Sequence, residues 1–343
     1  MTVTIDATTG VSAVQDGVVT ESDLTAATRS TLVSGRRNMI INGAMQVWQR
    51  GTSFAAGAGI VYTADRFWRY YGTSGNIERS TDAPTGFAYS WYGNTTGVFS
   101  GGTTVEIDNN GGRSGYFPQQ KYVYSFYLKG DFSNTYLVAN FRNATGTGTD
   151  EVPIITFSAG NGNGFGNYSD WTRVEKVIDT TGFTPHANNK SLDLEFGSFP
   201  VGGKATGFQF EIGETPTAFE HRSYGEELAL CQRYYHKIAG GVGYPIGYGH
   251  FYNSTYSRTK VHFPVTMRTK PSLDVGGGTG YFRIITNGTS GRTSNTFTLS
   301  GQTGTDYATI NDSSTISSSA TAGHGLDYQI AVSGAYIAFD AEL

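Results

Sequence analysis

The chain has 343 residues, of which 38% are hydrophobic, 14% aromatic and 15% charged, and its formal net charge is −4. This length suggests two or three compact units, and the aromatic content excludes a disordered chain. The negative charge argues against nucleic-acid binding, which usually requires a basic face, and the single cysteine, Cys231, excludes an intrachain disulfide.

The first 35 residues are small and polar, with too few apolar side chains to fold alone. They are predicted to form an N-terminal arm that either stays flexible or orders against a partner chain. The start lacks the basic and apolar segments of a signal peptide, and no apolar run approaches the ~20 residues that span a bilayer. The sequence therefore predicts synthesis in the cytoplasm and no membrane insertion.

Residues 36–222 are predicted to form an antiparallel jelly-roll or β-sandwich domain. Residues 36–51 (RRNMIINGAMQVWQRG) are interpreted as a strand that enters the first sheet. Apolar and polar residues then alternate in the segments 121–129, 191–197 and 207–213, which is typical of half-buried antiparallel strands. With the other candidate strands, about 8–10 in all, this pattern indicates a sandwich or jelly roll.

A single helix is predicted at residues 223–240, between this domain and a distal β-domain at 241–343. Ser223 and Glu226 have the spacing of a capping box, and two glycines at 240–241 end the segment. The helical spacing is carried by four residues: Leu228, Cys231, Tyr235 and Ile238.

The distal domain contains an alternating segment at residues 261–268. Pro264 in this segment predicts an edge strand, because proline cannot donate to a β-ladder.

The sequence contains no recognisable catalytic or metal-binding motif. Its six histidines lack the spacing of metal ligands, and no GxSxG nucleophile motif occurs. The glycine-rich run 160–167 precedes a strand and not a helix, so it is interpreted as a surface loop. The acids Asp193, Glu195 and Glu211 are predicted on the solvent faces of strands. We therefore expect a protein that is not an enzyme and has no cofactor and no metal.

Aromatic residues mixed with glycine and polar residues favour carbohydrate binding. Sugar rings present apolar faces that stack on Trp and Tyr, and polar side chains bind the hydroxyls at the rim. Such aromatic residues can equally belong to a core or a subunit interface. The candidate ligand-binding residues are Trp91 and Trp171 in the first domain, and Tyr244, Tyr248, His250, Tyr252, Asn253 and Tyr256 in the distal domain.

Three segments, 38–51 (NMIINGAMQVWQRG), 62–69 (YTADRFWR) and 219–235 (FEHRSYGEELALCQRYY), resemble tail-fibre or tail-appendage proteins of tailed bacteriophages. Residues 261–273 and the closing DAEL resemble them more weakly. The resemblance implies a homotrimer in the virion, with an N-terminal arm that attaches to tail, baseplate or adaptor proteins. It also implies a jelly roll like a carbohydrate-binding module and a distal tip that faces the host. No receptor-binding residue is carried over from the family.

These observations together favour a tail fibre that binds a receptor on the host cell, a surface glycan or lipopolysaccharide, during adsorption. Weak binding at single sites would be strengthened by several copies acting together. Two alternatives remain: a tailspike depolymerase that cleaves surface polysaccharide, and a purely structural virion appendage.

Overall fold

The computed structural model describes residues 37–55, 57–72, 74–106, 120–143, 152–183, 189–253, 256–278, 280–286, 289–294, 296–313 and 321–342. The predicted N-terminal arm lies outside these residues. The described part of the chain forms 22 strands, one α-helix (α1, Tyr224–Gln232) and a 3-10 turn (Ala159–Asn161). All strand pairs are antiparallel. The predicted all-β class is confirmed.

Two six-stranded sheets form the first sandwich. The first sheet has the spatial order β1 (Ser53–Ala55), β4 (Gly75–Ser80), β5 (Ser90–Thr95), β12 (Lys204–Ile212), β7 (Lys121–Asp131) and β10 (Asn167–Asp179). The second has the order β2 (Val61–Tyr62), β3 (Phe67–Gly72), β6 (Phe99–Glu106), β11 (Asn189–Phe199), β8 (Tyr136–Asn143) and β9 (Val152–Phe157). Late strands lie between early ones in both sheets, as in a jelly roll.

An aromatic core separates the two sheets. Alternate residues of β7, including Tyr124 and Phe126, point into it, and Phe126 packs edge-on against Phe196 of β11 with ring centroids 5.1 Å apart. The predicted solvent face of β7 is nevertheless covered, because Arg173 donates both to the Ser125 hydroxyl at 3.0 Å and to the carbonyl oxygen of Thr217 in an overlying loop. The alternation of apolar and polar residues therefore predicts the strand, but it does not predict that a loop covers the face of β7 that points away from the core.

Residues 37–52 do not form the predicted strand. They turn beneath β12, held by two buried asparagine side chains. Asn38 accepts from the backbone N–H of Phe210 at 3.1 Å and donates to the carbonyl oxygen of Phe208 at 3.0 Å. Asn42, in the left-handed region with φ 62°, binds Val47 and Asp65. The segment lacks period-two alternation, and its asparagine side chains supply the hydrogen bonds that a strand partner would have made.

The predicted helix is only half as long as expected. Ser223 caps it, accepting the N–H of Glu226 at 3.3 Å as predicted, but the helix ends at Gln232. Residues after it form β13 (Tyr235–Ala239), whose backbone pairs with β22 (Tyr336–Asp340). Tyr235 and Ile238 matched helical spacing, yet aromatic and β-branched residues also favour strands, and pairing with β22 decides between the two.

The distal domain contains two sheets around one core. The small sheet has the order β13, β22 and β16 (Ser272–Gly276). The large sheet has the order β18 (Thr289–Ser294), β17 (Phe282–Thr286), β21 (Gly325–Ile330), β14 (Pro245–Asn253), β15 (Tyr256–His262), β20 (Tyr307–Asp312) and β19 (Phe297–Leu299). The predicted distal β-sandwich is present, and β13 places the start of this unit inside the segment that was expected to be helical.

Two local predictions have opposite outcomes. The edge strand at Pro264 is wrong, because β15 ends at His262 and lies inside the sheet, between β14 and β20. Proline instead follows the strand, where no ladder hydrogen bond is needed. The glycine-rich run is a loop, as predicted: after the 3-10 turn, Gly162 adopts φ 73° and β10 begins at Asn167.

Buried charged side chains join the two β-units. Arg66 of the first sandwich is 1% exposed, pairs with the carboxylate of Glu342 and lies 3.7 Å from the centre of the Tyr234 ring. Arg50 also pairs with Glu342, at 3.3 Å, and lies over the Tyr235 ring at 3.6 Å. Since Glu342 follows β22, these contacts fix the distal unit against the first sandwich.

Candidate functional site

Strand β14 presents a row of exposed side chains on the outer face of the large distal sheet. Tyr248, His250 and Tyr252 alternate with Gly247, Gly249 and the buried Phe251. The glycine at 249 is required by close packing, because a Cβ there would lie 2.1 Å from the carbonyl oxygen of Arg258 on β15. Alternation of aromatic residues with glycine thus lets neighbouring strands approach closely and directs the aromatic side chains to the surface.

The neighbouring strand β15 adds positive charge to the same face. Its residues Arg258, Lys260 and His262 alternate with buried Ser257, Thr259 and Val261. Register places Lys260 beside Tyr248, and Arg258 beside His250. We call this outer surface of β14 and β15 the distal face.

An aromatic and basic cluster marks one end of the distal face. Tyr252 and Tyr256 pack edge-on with ring centroids 5.8 Å apart. The Arg258 guanidinium lies over both rings, 4.7 Å from the centroid of Tyr252 and 5.7 Å from that of Tyr256. Arg258 thereby holds the two rings in place at the end of the hairpin. Asn253, also exposed, lies at the end of β14 beside them.

A cleft of ≈ 560 Å³ opens at the other end, between β13 and the first half of β14. Tyr244 and Tyr248 both line it, and Tyr248 is 72% exposed. The lining residues are His236, Lys237, Ile238, Ala239, Tyr244, Pro245, Ile246, Gly247, Tyr248, Lys260, Val261 and His262. Its volume is within the range of small-ligand sites, and its wall combines aromatic, apolar and basic groups.

His236 stands at the base of this cleft in an apolar setting. Its ring is stacked with Phe339 at a centroid distance of 6.3 Å and packs edge-on against Phe263 at 6.2 Å. Burial lowers the pKa of His236 to about 4, because the charged imidazolium loses solvation there. The side chain is therefore neutral at pH 7 and can exchange hydrogen bonds with hydroxyl groups.

The depressed pKa of His236 predicts a pH-dependent stability. Its neutral form contributes stability above the unfolded pKa of 6.5, and this contribution is lost as pH falls toward 4. We expect wild type to lose about 2–3 kcal/mol more unfolding free energy than His236→Phe between pH 7 and 4. Urea denaturation of both proteins measures this difference, since other titrating groups are shared. Parallel pH profiles would contradict the assignment.

The structure places the six distal candidates on or next to the hairpin of β14 and β15, in two groups at its opposite ends. Tyr244 and Tyr248 lie at the cleft, Tyr252, Asn253 and Tyr256 at the hairpin end, and His250 between them. Trp91 is a wrong candidate. It is 0% exposed, its indole N–H donates to the Thr63 hydroxyl at 3.0 Å, and it packs edge-on against Phe99. Trp91 alternates into the sandwich core and cannot contact a ligand.

Trp171 lies apart from the distal face, partly exposed on β10 of the first sandwich. Its indole N–H donates to the Asp82 carboxylate at 3.0 Å, and the ammonium groups of Lys129 and Lys204 bind the same carboxylate at 3.1 and 3.2 Å. Partial burial opposes ionisation of Asp82, but these three donors outweigh it and lower its pKa. Trp171 is thus fixed in a satisfied polar cluster.

Sequence reasoning missed the basic half of the site. Arg258, Lys260, His236 and Lys237 were not selected, although β15 alternates across its whole length. The sequence shows inward and outward residues alternating from Val261 and His262 onward. If this alternation is continued back to residue 257, it places Arg258 and Lys260 on the outer face. His236 and Lys237 had no such signal, because they fell in the segment predicted to be helical.

Two of the acids that were expected at the surface are buried. Glu211 accepts from the backbone N–H of Thr217 at 2.8 Å and from its hydroxyl at 2.7 Å, so the loop that follows β12 covers it. Asp193 is also buried, on the outer side of the second sheet, where it lies beside Thr104 of β6. The Trp68 indole N–H donates to the Thr104 hydroxyl at 3.0 Å and covers it. Neither carboxylate lines the cleft.

No family model and no curated protein matches this sequence. Among the described residues, α1 is far too short to cross a membrane, and no longer apolar helix occurs.

Solved structures that match part of this chain include an enzymatically active domain of tailspike protein 4 from bacteriophage CBA120, at 13% identity and a TM-score of 0.31. That match covers 51% of this chain and 21% of the tailspike chain. Another is the xylan-binding CBM22-1 domain of Paenibacillus barcinonensis Xyn10C, at 11% identity and a TM-score of 0.30, over 53% of this chain and 100% of that one. The tandem CBM22-1–CBM22-2 structure of the same protein has 10% identity and a TM-score of 0.31, over 90% of this chain and 98% of that one.

Proposed function

We propose that this chain is a tail-fibre protein of a tailed bacteriophage that binds a glycan on the host surface through its distal face. The observation that carries the proposal is the exposed row of aromatic and basic side chains on β14 and β15, continuous with the cleft. Soluble proteins rarely expose contiguous aromatic surface without a ligand or partner. Tyrosine rings offer sugar faces a stacking platform, and the adjacent polar groups bind hydroxyls.

The resemblance of residues 38–51, 62–69 and 219–235 to phage tail appendages supports the virion assignment. The structure gives these segments a shared role. Arg222 donates to the carbonyl oxygen of Ile40 at 3.0 Å, and the Glu227 carboxylate accepts from the backbone N–H of Asn42 at 2.6 Å. The motif residues thus join the start of the sandwich to the helix that leads to the distal unit.

We propose further that the protein acts as a homotrimer attached to the tail through residues 1–35. Three distal faces would multiply weak single-site binding by ~10²–10⁴. Light scattering tests this directly: a mass three times the 36.9 kDa of one chain is expected. A stable monomer would contradict the trimer, while leaving the binding site in place.

We expect the protein to bind the glycan without cleaving it. Hydrolysis of a glycosidic bond requires two carboxyl groups ~5–10 Å apart across the sugar, and no carboxylate occurs among the described residues that line the cleft. Incubation with host capsule or lipopolysaccharide should therefore release no reducing ends. Release of reducing ends would favour a depolymerase instead.

Replacing Tyr248 with alanine is expected to weaken glycan binding about tenfold, because the ring provides the most exposed stacking surface on the distal face. Binding to an array of bacterial surface polysaccharides, lipopolysaccharide included, measures the effect. Tyr70→Ala is the matched control: Tyr70 is 54% exposed but lies on the first sandwich. Equal losses in the two variants, or no binding by wild type, would contradict the proposal.

A further inference from the structure

The cleft at the end of the distal face has an unusual charge balance. The described residues that line it include two lysines and two histidines and no acidic residue. His236 of β13 and Lys260 and His262 of β15 line the cleft, whereas the Lys237 side chain lies on the face of β13 opposite to His236, over the Tyr336 ring of β22. Tyr244 and Tyr248 complete the surface between them.

Neither lysine is neutralised by an ion pair within the described part of the chain. The Lys260 ammonium lies 4.3 Å from the centre of the Tyr307 ring, and the Lys237 ammonium 4.0 Å from that of Tyr336. A tyrosine ring attracts a cation through its π face but leaves the positive charge in place. Asp274 and Asp65 both attract Lys237 electrostatically, and Asp274 is hydrogen bonded to the hydroxyls of Tyr235 and Tyr336. Lys260 is therefore the lysine whose charge is available to a ligand in the cleft.

We infer that the cleft takes an anionic sugar unit, one that carries a carboxylate or a phosphate. The anion lies at the exposed Lys260 ammonium beside Tyr248, and the sugar ring packs against Tyr244 and Tyr248. Charge-assisted hydrogen bonds from ammonium groups are stronger than those between neutral groups, so the charge selects among sugars that stack equally well. This inference rests on the proposed glycan binding and adds the chemical class of the ligand.

Two matched pairs of probes separate charge from shape. Tetragalacturonate is compared with its fully methyl-esterified form, and mannose 6-phosphate with mannose, by saturation-transfer NMR titration of the full chain. In at least one pair we expect the anionic probe to bind about tenfold more tightly than its neutral counterpart. The pair that shows the preference identifies a carboxylate or a phosphate as the recognised group. The preference should shrink as salt rises from about 20 mM to about 200 mM.

A variant links the preference to the cleft. Lys260→Met keeps the aliphatic stem, removes the charge from an exposed position and should abolish most of the tenfold preference for the anionic probe over its neutral counterpart. Lys270→Met is the control, because Lys270 is exposed and lies outside the cleft.

Equal affinity for the anionic and neutral probes would overturn this inference and leave the proposed glycan binding intact. A preference that survives in Lys260→Met, or absence of binding for all four probes, would also overturn it. The polysaccharide array with Tyr248→Ala decides the proposed function separately.

Discussion

Replacing Glu342 with glutamine should lower the free energy of unfolding by about 3–5 kcal/mol, the usual cost of removing one partner of a buried ion pair. The Glu342 side chain pairs with Arg66 and with Arg50, whereas Arg50 alone has a second acid, Asp340, at 3.2 Å. After the substitution, Arg66 would retain its hydrogen bond to the carbonyl oxygen of Thr104 but have no carboxylate partner. A buried guanidinium without a counter-ion is strongly destabilising.

Urea denaturation of wild type and three variants tests this prediction. Glu214→Gln is the matched control, since Glu214 pairs with Lys121 at the surface, where solvent screens the pair, and little change is expected. The double variant Arg66→Met with Glu342→Gln should recover much of the loss, because it removes both charges together. A double variant no more stable than Glu342→Gln alone would show that Arg66 and Glu342 do not stabilise the junction as a pair.

Replacing Asn42 with alanine is expected to have a similarly large effect, about 3–5 kcal/mol. The side-chain amide of Asn42 donates to the carbonyl oxygens of Val47 at 2.8 Å and Asp65 at 2.9 Å, and its oxygen accepts the Val47 N–H at 2.9 Å. All these groups are buried, so none gains water when the side chain is removed. Asparagine also tolerates the positive φ of this position better than alanine.

Asn161→Ala provides the comparison for Asn42. Asn161 also makes three hydrogen bonds to backbone groups, with Thr156, Ser158 and Asn163, but in an exposed turn. Water replaces its contacts, so we expect a loss below about 1 kcal/mol by thermal or urea unfolding. Similar losses at the two positions would show that burial of the Asn42 bonds is not the source of stability.

Residues 37–52 and strand β13 illustrate what the sequence could and could not predict. Strands with strict alternation, such as β7 and β12, were identified because period two survives wherever one face meets a core. Residues 37–52 were misread because their structure depends on hydrogen bonds to residues more than 165 positions away, such as Phe208 and Phe210. β13 was misread because its strand partner, β22, lies about 100 residues further along the chain.

The candidate site was predicted in part for the same reasons. The tyrosines of β14 were selected by composition, which does not depend on tertiary structure. Trp91 has the same composition signal, and only its register within β5 places it in the core. The cleft required knowledge that β13 faces β14 across two different sheets, which no local pattern in the sequence contains.

The alternation of glycine with aromatic residues on β14 has a consequence for how recognition can change. Folding depends on the residues of β14 that face the domain interior, where Gly249 allows close strand contact and Phe251 fills the core. The exposed side chains at positions 248, 250 and 260 point outward and carry none of that packing, so they can be exchanged at little cost in stability. A scaffold of this kind can acquire a new receptor preference by substitution at a few outward positions, while strand register and domain architecture stay the same.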